Sequence, residues 1–357
     1  MMVKPDSQPG DNVLGNFLVN PGETPPTTCE PGNPDCTTNP VPQLEDSKSM
    51  DPKSGSTVVA GQELTYTLTF TNKGAAAGDV DRVDDLSKVL DDATITSTPT
   101  SSDAALVVSD GTDGKITIKG SLEAGKTVTV SYKVMVKPDG QRGDNVLGNF
   151  LVNPGETPPT TCEPGNPDCT TNPVPQLEDS KSVDPKSGTT VKAGQELTYT
   201  LTFENKGAGA GEINRVDNLT GVLDDATISA KPSSSDGALT VTDGSNGKID
   251  ITGTLDAGKT VTVTYKVTVK PDGQRGDNLL GHFLLNPGET PPTTCVPGSD
   301  KCTNNPVTPT PVVPTDPSLP DTGVQGLLPI LYGAGGVFLL GLFLLLGLGL
   351  RRRRSES

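Results

Sequence analysis

The sequence predicts an all-β chain: tandem Ig-like β-sandwich repeats joined by Pro-rich spacers, followed by one C-terminal transmembrane helix. Three observations predict it. Near-identical segments recur at a fixed offset, strand-type alternation runs through each copy, and one long uncharged stretch lies near the C-terminus.

The repeat sets the organisation. "VKPDSQPGDNVLGNFLVNPGETPPTTCEPGNPDC" at 3–36 returns as "VKPDGQRGDNVLGNFLVNPGETPPTTCEPGNPDC" at 136–169 and as "VKPDGQRGDNLLGHFLLNPGETPPTTCVPGSDKC" at 269–302, an offset of 133 each time. That period is the length of a domain, too long for a solenoid unit. Residues 1–43 therefore read as the tail of a truncated repeat plus a Pro/Cys spacer, and residues 44–153 and 177–286 as two full repeats. Spacers occupy 154–176 and, richer in Pro and Thr, 287–318.

Within a repeat, Leu64, Tyr66, Leu68 and Phe70 alternate with Thr65, Thr67 and Thr69, the two-residue period of a half-buried strand. Val128, Val130, Tyr132, Val134 and Val136 do the same. Gly-containing breaks separate such runs at intervals of roughly ten residues, which suits an antiparallel sandwich. A barrel of similar strand spacing is the alternative. Only 32% of residues are hydrophobic and 3% aromatic, so the cores are small and aliphatic. A net charge of −16 excludes a nucleic-acid partner, which needs a basic surface.

The spacers are rich in proline and polar, and read as semi-rigid connectors. Each carries a cysteine pair: Cys29 and Cys36, Cys162 and Cys169, Cys295 and Cys302. Evenly spaced pairs in an exported chain favour local disulfides Cys29–Cys36, Cys162–Cys169 and Cys295–Cys302. A metal centre needs more ligands than two thiols, and no histidine lies near them, so no metal and no cofactor are expected.

No G-x-S-x-G elbow, P-loop, dinucleotide fingerprint or zinc motif occurs, and no catalytic residue is assigned. The expectation is a protein that is not an enzyme. Weighed against glycosidase or calcium sites, the acidic pairs Asp84/Asp85, Asp91/Asp92 and Asp224/Asp225 read as solvated turn residues. The one histidine, His282, falls at the repeat offset from Asn149, which in turn aligns with Asn16, so it reads as a substitution within a repeated strand.

Near the C-terminus, Leu327 to Leu350 form 24 residues without charge, long enough as a helix to cross a hydrocarbon core of about 30 Å. Arg351 to Arg354 follow, and the positive-inside rule makes 351–357 a basic cytoplasmic tail. The start "MMVKPDSQPGDNVLG" has no signal-peptide pattern. The chain therefore reads as the C-terminal portion of a longer precursor.

Leu319, Pro320, Asp321, Thr322 and Gly323 spell "LPDTG" ahead of the apolar stretch and the arginines. This order resembles the cell-wall sorting signal of Gram-positive LPXTG surface proteins. The resemblance implies that a sortase cleaves between Thr322 and Gly323 and passes the Thr322 carbonyl to an amine of a peptidoglycan precursor. It also implies a secreted, covalently wall-anchored protein that meets the membrane only before sorting.

The repeats, with "SKSVDPKSGTTVKAGQELTYTLTFENKG" and "VDNLTGVLDDATI", resemble the Ig-like repeats of such surface proteins. Some related domains form a spontaneous Lys to Asn amide assisted by a buried carboxylic acid. By that resemblance Lys48 and Lys181 are candidate nucleophiles, since strand parity places Lys48 with Leu44 and Met50 and Lys181 with Leu177 and Val183. Asp84 and Asp217 share faces with Val80 and Ile213 and are the candidate acids. The acceptor is Asn149, between Leu147 and Leu151, with Asn145 and Asn153 as alternatives because that strand is apolar on both faces. In the second repeat His282 replaces Asn149, leaving Asn286 or Asn278. The functional expectation is a stalk that projects an upstream adhesive region. Alternatively the repeats themselves bind a host or matrix ligand, or the chain is a pilus subunit.

Overall fold

The structure is a computed structural model and describes residues 10–309. A hairpin of β1 (Val13–Phe17) and β2 (Cys36–Pro40) comes first. The first full repeat then runs β3 (Leu44–Asp51), β4 (Glu63–Asn72), β5 (Gly78–Asp85), the one-turn helix α1 (Ser87–Leu90), β6 (Ala93–Ser101), β7 (Leu106–Val108), β8 (Lys115–Leu122), β9 (Thr127–Val136), β10 (Val146–Val152) and β11 (Cys169–Pro173). These form two antiparallel sheets, ordered β3-β4-β9-β6 and β11-β10-β5-β8-β7.

The alternation read from the sequence builds the core. Leu64, Tyr66, Leu68 and Phe70 of β4 are buried, as are Val128, Val130, Tyr132, Val134 and Val136 of β9. Opposite them Val80, Ile116, Ile118 and Leu122 close the core from the second sheet. The second repeat has the same two sheets, with Val191–Lys192 added parallel to the strand Cys302–Thr308.

Two parts of the expected fold need correction. The Pro/Cys segments are not spacers between finished sandwiches. Residues Cys169–Pro173 pair with β10 from Phe150↔Cys169 to Val146↔Pro173, and Cys302–Thr308 pairs with Leu279–Leu285 in the same way. The physical reason lies in β10, which carries apolar side chains on both faces. Leu147 and Leu151 enter the main core, while Phe150 and Val152 pack outward against Cys169, Val83 and Cys162. The Pro/Cys segment covers that second face, and its prolines are tolerated because β11 is an edge strand.

The second correction concerns the transmembrane helix. Among the described residues no helix is long and apolar enough to cross a membrane. The segment 327–350, the motif at 319–323 and the tail at 351–357 lie outside the described residues.

Successive repeats are stitched by backbone bonds. Val174, fully buried in the first core, accepts from the Ala208 and Gly209 amides at 2.9 and 3.1 Å through its carbonyl. Arg142 donates to Asn145 Oδ1 at 2.7 Å and to the Pro175 carbonyl at 3.0 Å, and Asn145 donates to Gln176 Oε1 at 3.2 Å. Gly207 packs so closely that a Cβ would stand 2.3 Å from the Gln176 nitrogen.

Candidate functional site

Lys48 lies at register with Leu68 on the first sheet, and Asp84 lies opposite Leu151 on the second. Both side chains point into the space between the sheets, where each has no exposed surface, and Lys48 Nζ pairs with Asp84 Oδ1. Two ions taken from water in this way are held only if further hydrogen bonds complete them. Asp84 Oδ2 accepts from the Tyr132 hydroxyl at 2.7 Å. The Tyr132 oxygen in turn accepts from Asn149 Nδ2 at 2.5 Å. Asn149 is fully buried, and its Oδ1 has no hydrogen-bond partner among the described residues. Lys48, Asp84, Tyr132 and Asn149 thus form one cluster drawn from both sheets.

Aromatic rings wall the cluster. Tyr66 stacks on Tyr132 at 5.1 Å between centroids, and Lys48 Nζ lies 5.4 Å from the Tyr66 ring. Burial lowers the Lys48 amine from 10.5 to about 8, although the Asp84 charge pulls the other way. Burial, reinforced by that charge, pushes the Tyr132 hydroxyl well above its ordinary range. A lysine in this state is poised to lose its proton, and the Asn149 carboxamide, bonded into the cluster through Tyr132, is a carbonyl-type electrophile.

The surrounding chain fixes these strands. Asp92 is buried, not solvated as expected, and its carboxylate accepts the Asn145 and Val146 amides, each at 3.1 Å, at the start of β10. Asp225 does the same for Asn278 and Leu279. The carboxylates of Asp91, Asp92 and Asp144, and of Asp224, Asp225 and Asp277, lie close enough to share a cation, but Asp92 and Asp225 already spend their oxygens on these amides. At the other end the Pro167 carbonyl accepts the Lys48 amide at 2.6 Å, and the adjacent Asp168 carbonyl accepts the Leu151 amide at 2.7 Å. The loop closed by the Cys162–Cys169 disulfide therefore ties the strand of Lys48 to the strand of Asn149. Cys29–Cys36 and Cys295–Cys302 are disulfides as well.

The other candidate asparagines stand elsewhere. Asn153 is exposed and accepts from Arg82 at 2.7 Å, and Asn145 serves the repeat junction. Asn286, expected as an acceptor in the second repeat, is exposed and bonds Glu289, away from Lys181. His282 fills the place instead. Its Nε2 lies 2.8 Å from Asp217 Oδ1 and 3.0 Å from Lys181 Nζ, while Lys181 and Asp217 pair at 2.6 Å. Tyr265 donates to Asp217 Oδ2 at 2.8 Å, as Tyr132 does to Asp84. Burial lowers His282 to about 4 and Lys181 to about 8. Burial alone would raise Asp217, but His282 and Lys181 hold it well below the usual carboxylate range.

Sequence reasoning missed Tyr132 and Tyr265, which alternation marks only as core residues. The signal available was their polarity: a buried phenol needs a partner for its hydroxyl.

A family profile described as "Domain of unknown function (DUF7927)" matches residues 1–41, 43–174 and 176–307. The chain belongs to this family. The DUF7927 unit spans 43–174, so it takes in β11 and the Pro/Cys loop together with the sandwich. No curated protein matches the sequence. Among solved structures, the Staphylococcus aureus collagen adhesin is 12% identical, with 73% of this chain and 91% of that one covered at a TM-score of 0.18. The major pilin subunit of Bacillus cereus is 11% identical, with 74% and 70% covered at a TM-score of 0.26. A Corynebacterium diphtheriae protein described as membrane anchored is 9% identical, with 77% and 99% covered at a TM-score of 0.24. At scores this low the likenesses decide neither arrangement nor function.

Proposed function

We propose that the chain is a cell-surface adhesin or pilus-subunit module whose first full repeat closes an amide between Lys48 and Asn149. One observation carries the reading: a buried lysine, an acid and a carboxamide join the first strand of the repeat to its last paired core strand. In the reaction Lys48 gives a proton to Asp84, the neutral amine bonds to Asn149 Cγ, and the carboxamide nitrogen leaves as ammonia. By analogy with a disulfide, closing a loop of about a hundred residues stabilises by roughly 4–5 kcal/mol. It also joins covalently the first strand of the repeat to β10, on which the last strand β11 is paired, which suits a protein that bears load.

The order of the sorting motif Leu319–Gly323 and the arginines supports attachment by a sortase, through Thr322, to the peptidoglycan of a Gram-positive wall. Three disulfides suit an oxidising exterior. The intact mass of the reduced full chain tests the amide: a deficit of one ammonia supports it, and an unchanged mass rejects it. Solid-phase binding of the chain to matrix proteins and glycans separates an adhesin from a bare stalk. A high-molecular-weight ladder in wall extracts identifies a pilus subunit.

A further inference from the structure

We propose that Tyr132 is a catalytic proton relay for the closure of the first repeat, carrying a proton from Asp84 to the nitrogen that leaves Asn149. This rests on the amide reading above. Among the described residues the Tyr132 hydroxyl is the one group in hydrogen-bond contact with both the acid and the leaving nitrogen, at 2.7 Å from Asp84 Oδ2 and 2.5 Å from Asn149 Nδ2.

An amide ion is a very poor leaving group, so Nδ2 must gain a proton as its bond to carbon breaks. Lys48 and Asp84 have no exposed side-chain surface and Asn149 is fully buried, so the proton comes from a side chain. Lys48 lies on the Oδ1 side of Asp84 and Tyr132 on the Oδ2 side, so the carboxyl can accept at one oxygen and donate from the other.

The Lys48 ammonium first gives one proton to Asp84 at the oxygen it touches, and a half-turn of the carboxyl carries that O–H round to face Tyr132 and leaves the unprotonated oxygen toward Lys48. The free amine then adds to Asn149 Cγ. In the carboxamide Nδ2 has no free lone pair and donates to Tyr132, but in the tetrahedral adduct it is an amine and accepts. The adduct's former lysine nitrogen gives a second proton to the Asp84 oxygen on its side, the other Asp84 oxygen passes its proton to the Tyr132 oxygen, and Tyr132 passes its own to Nδ2. The Cγ–Nδ2 bond breaks, ammonia leaves, and Tyr132 and the acid end as they began the addition. The protons move together, because a free tyrosinate at this buried place is strongly disfavoured.

The molecule supplies its own comparison. Tyr199 of the second repeat, where His282 stands in place of the carboxamide, is equally buried, and its hydroxyl has no hydrogen-bond partner among the described residues. Removing that hydroxyl should leave the reaction alone.

The test follows ammonia loss by intact mass as unlinked full chain, recovered from inclusion bodies, refolds. Tyr132→Phe is expected to slow closure on the order of a hundredfold, the usual worth of a positioned acid, with Tyr199→Phe at the wild-type rate. A folded Tyr132→Phe chain that closes at the wild-type rate overturns the relay. If Tyr132→Phe does not fold, the wild-type chain in mixtures of light and heavy water decides. A curved dependence of rate on deuterium content supports several protons in flight, and a straight line overturns the relay. A wild-type chain that never loses ammonia rejects the amide reading itself, and the relay with it; the two failures are thereby distinct.

Discussion

His282 Nε2 lies 3.0 Å from Lys181 Nζ, at the position where the first repeat presents Asn149. The lysine, the acid and the tyrosine of the second repeat are all in place, and only the electrophile is replaced by a ring that has no leaving group. His282→Asn should therefore restore the missing partner. The expected outcome is loss of a second ammonia from the full chain, read by intact mass, with the second repeat's melting temperature raised. Asn149→His should abolish the first loss. A His282→Asn chain that still loses only one ammonia would show that the difference between the repeats lies elsewhere.

The same histidine makes the second repeat sensitive to acid. Burial holds the folded ring neutral down to about pH 4, whereas in the unfolded chain it titrates near its ordinary 6.5. Between those values only the unfolded state takes up the proton. The contribution of His282 is thus complete above about pH 6.5, falls as pH drops, and is spent by about pH 4, a loss of roughly 3 kcal/mol. The facing groups are Asp217, Lys181, Tyr265 and Tyr199. Asp217 stays ionised across this window, Lys181 is lowered only to about 8, and both tyrosines are raised, so none of them titrates within it. Calorimetry of the full chain at pH 7 and pH 4.5 should show a transition that falls in the wild type and falls less in His282→Asn. Equal shifts in both would rule out the histidine as the cause.

Much of this arrangement is legible from residue order alone, and the parts that are not share a cause. Parity places Lys48 and Asp84 inside, because one face of β3 and one face of β5 carry the apolar residues. Asn149 escapes parity because β10 is apolar on both faces, which is itself the mark of a strand covered from outside as well as inside. The cover, Cys169–Pro173, has no apolar alternation of its own and forms by pairing with β10, so nothing local in "CTTNP" announces a strand. Asp92 reads as a turn acid because its partners, the amides of Asn145 and Val146, lie more than fifty residues along the chain. Tyr132 alternates as an ordinary core residue, and only the meeting of two sheets gives its hydroxyl both an acid and an amide.

The Cys162–Cys169 disulfide holds the loop whose carbonyls at Pro167 and Asp168 bind the strands of Lys48 and Asn149. Replacing both cysteines with serine removes the constraint on this short loop and should cost the first repeat about 2 kcal/mol. Amide exchange should accelerate first at Lys48 and Leu151, whose protons those carbonyls accept. Closure of the Lys48–Asn149 amide should slow in parallel, as the two strands lose their common tie. Unchanged exchange at both amides would show that the loop holds its place without the disulfide.

Gly207 offers the sharpest test of the junction between repeats. A Cβ there would stand 2.3 Å from the Gln176 nitrogen and 2.4 Å from the Val174 carbonyl oxygen, both backbone atoms that cannot step aside. Val174 belongs to the first core, and its carbonyl binds the amides of Ala208 and Gly209 in the second repeat. Gly207→Ala must therefore part the two segments locally, at a cost of about 1–3 kcal/mol typical of overpacking, and break those bonds. Each sandwich keeps its own core, so the loss should appear as faster exchange of the Ala208 and Gly209 amides and as uncoupled melting of the two repeats. Gly237→Ala, where a Cβ meets nothing within 4 Å, is the matched control and should leave both measurements unchanged. If Gly207→Ala behaves like this control, the junction does not couple the repeats.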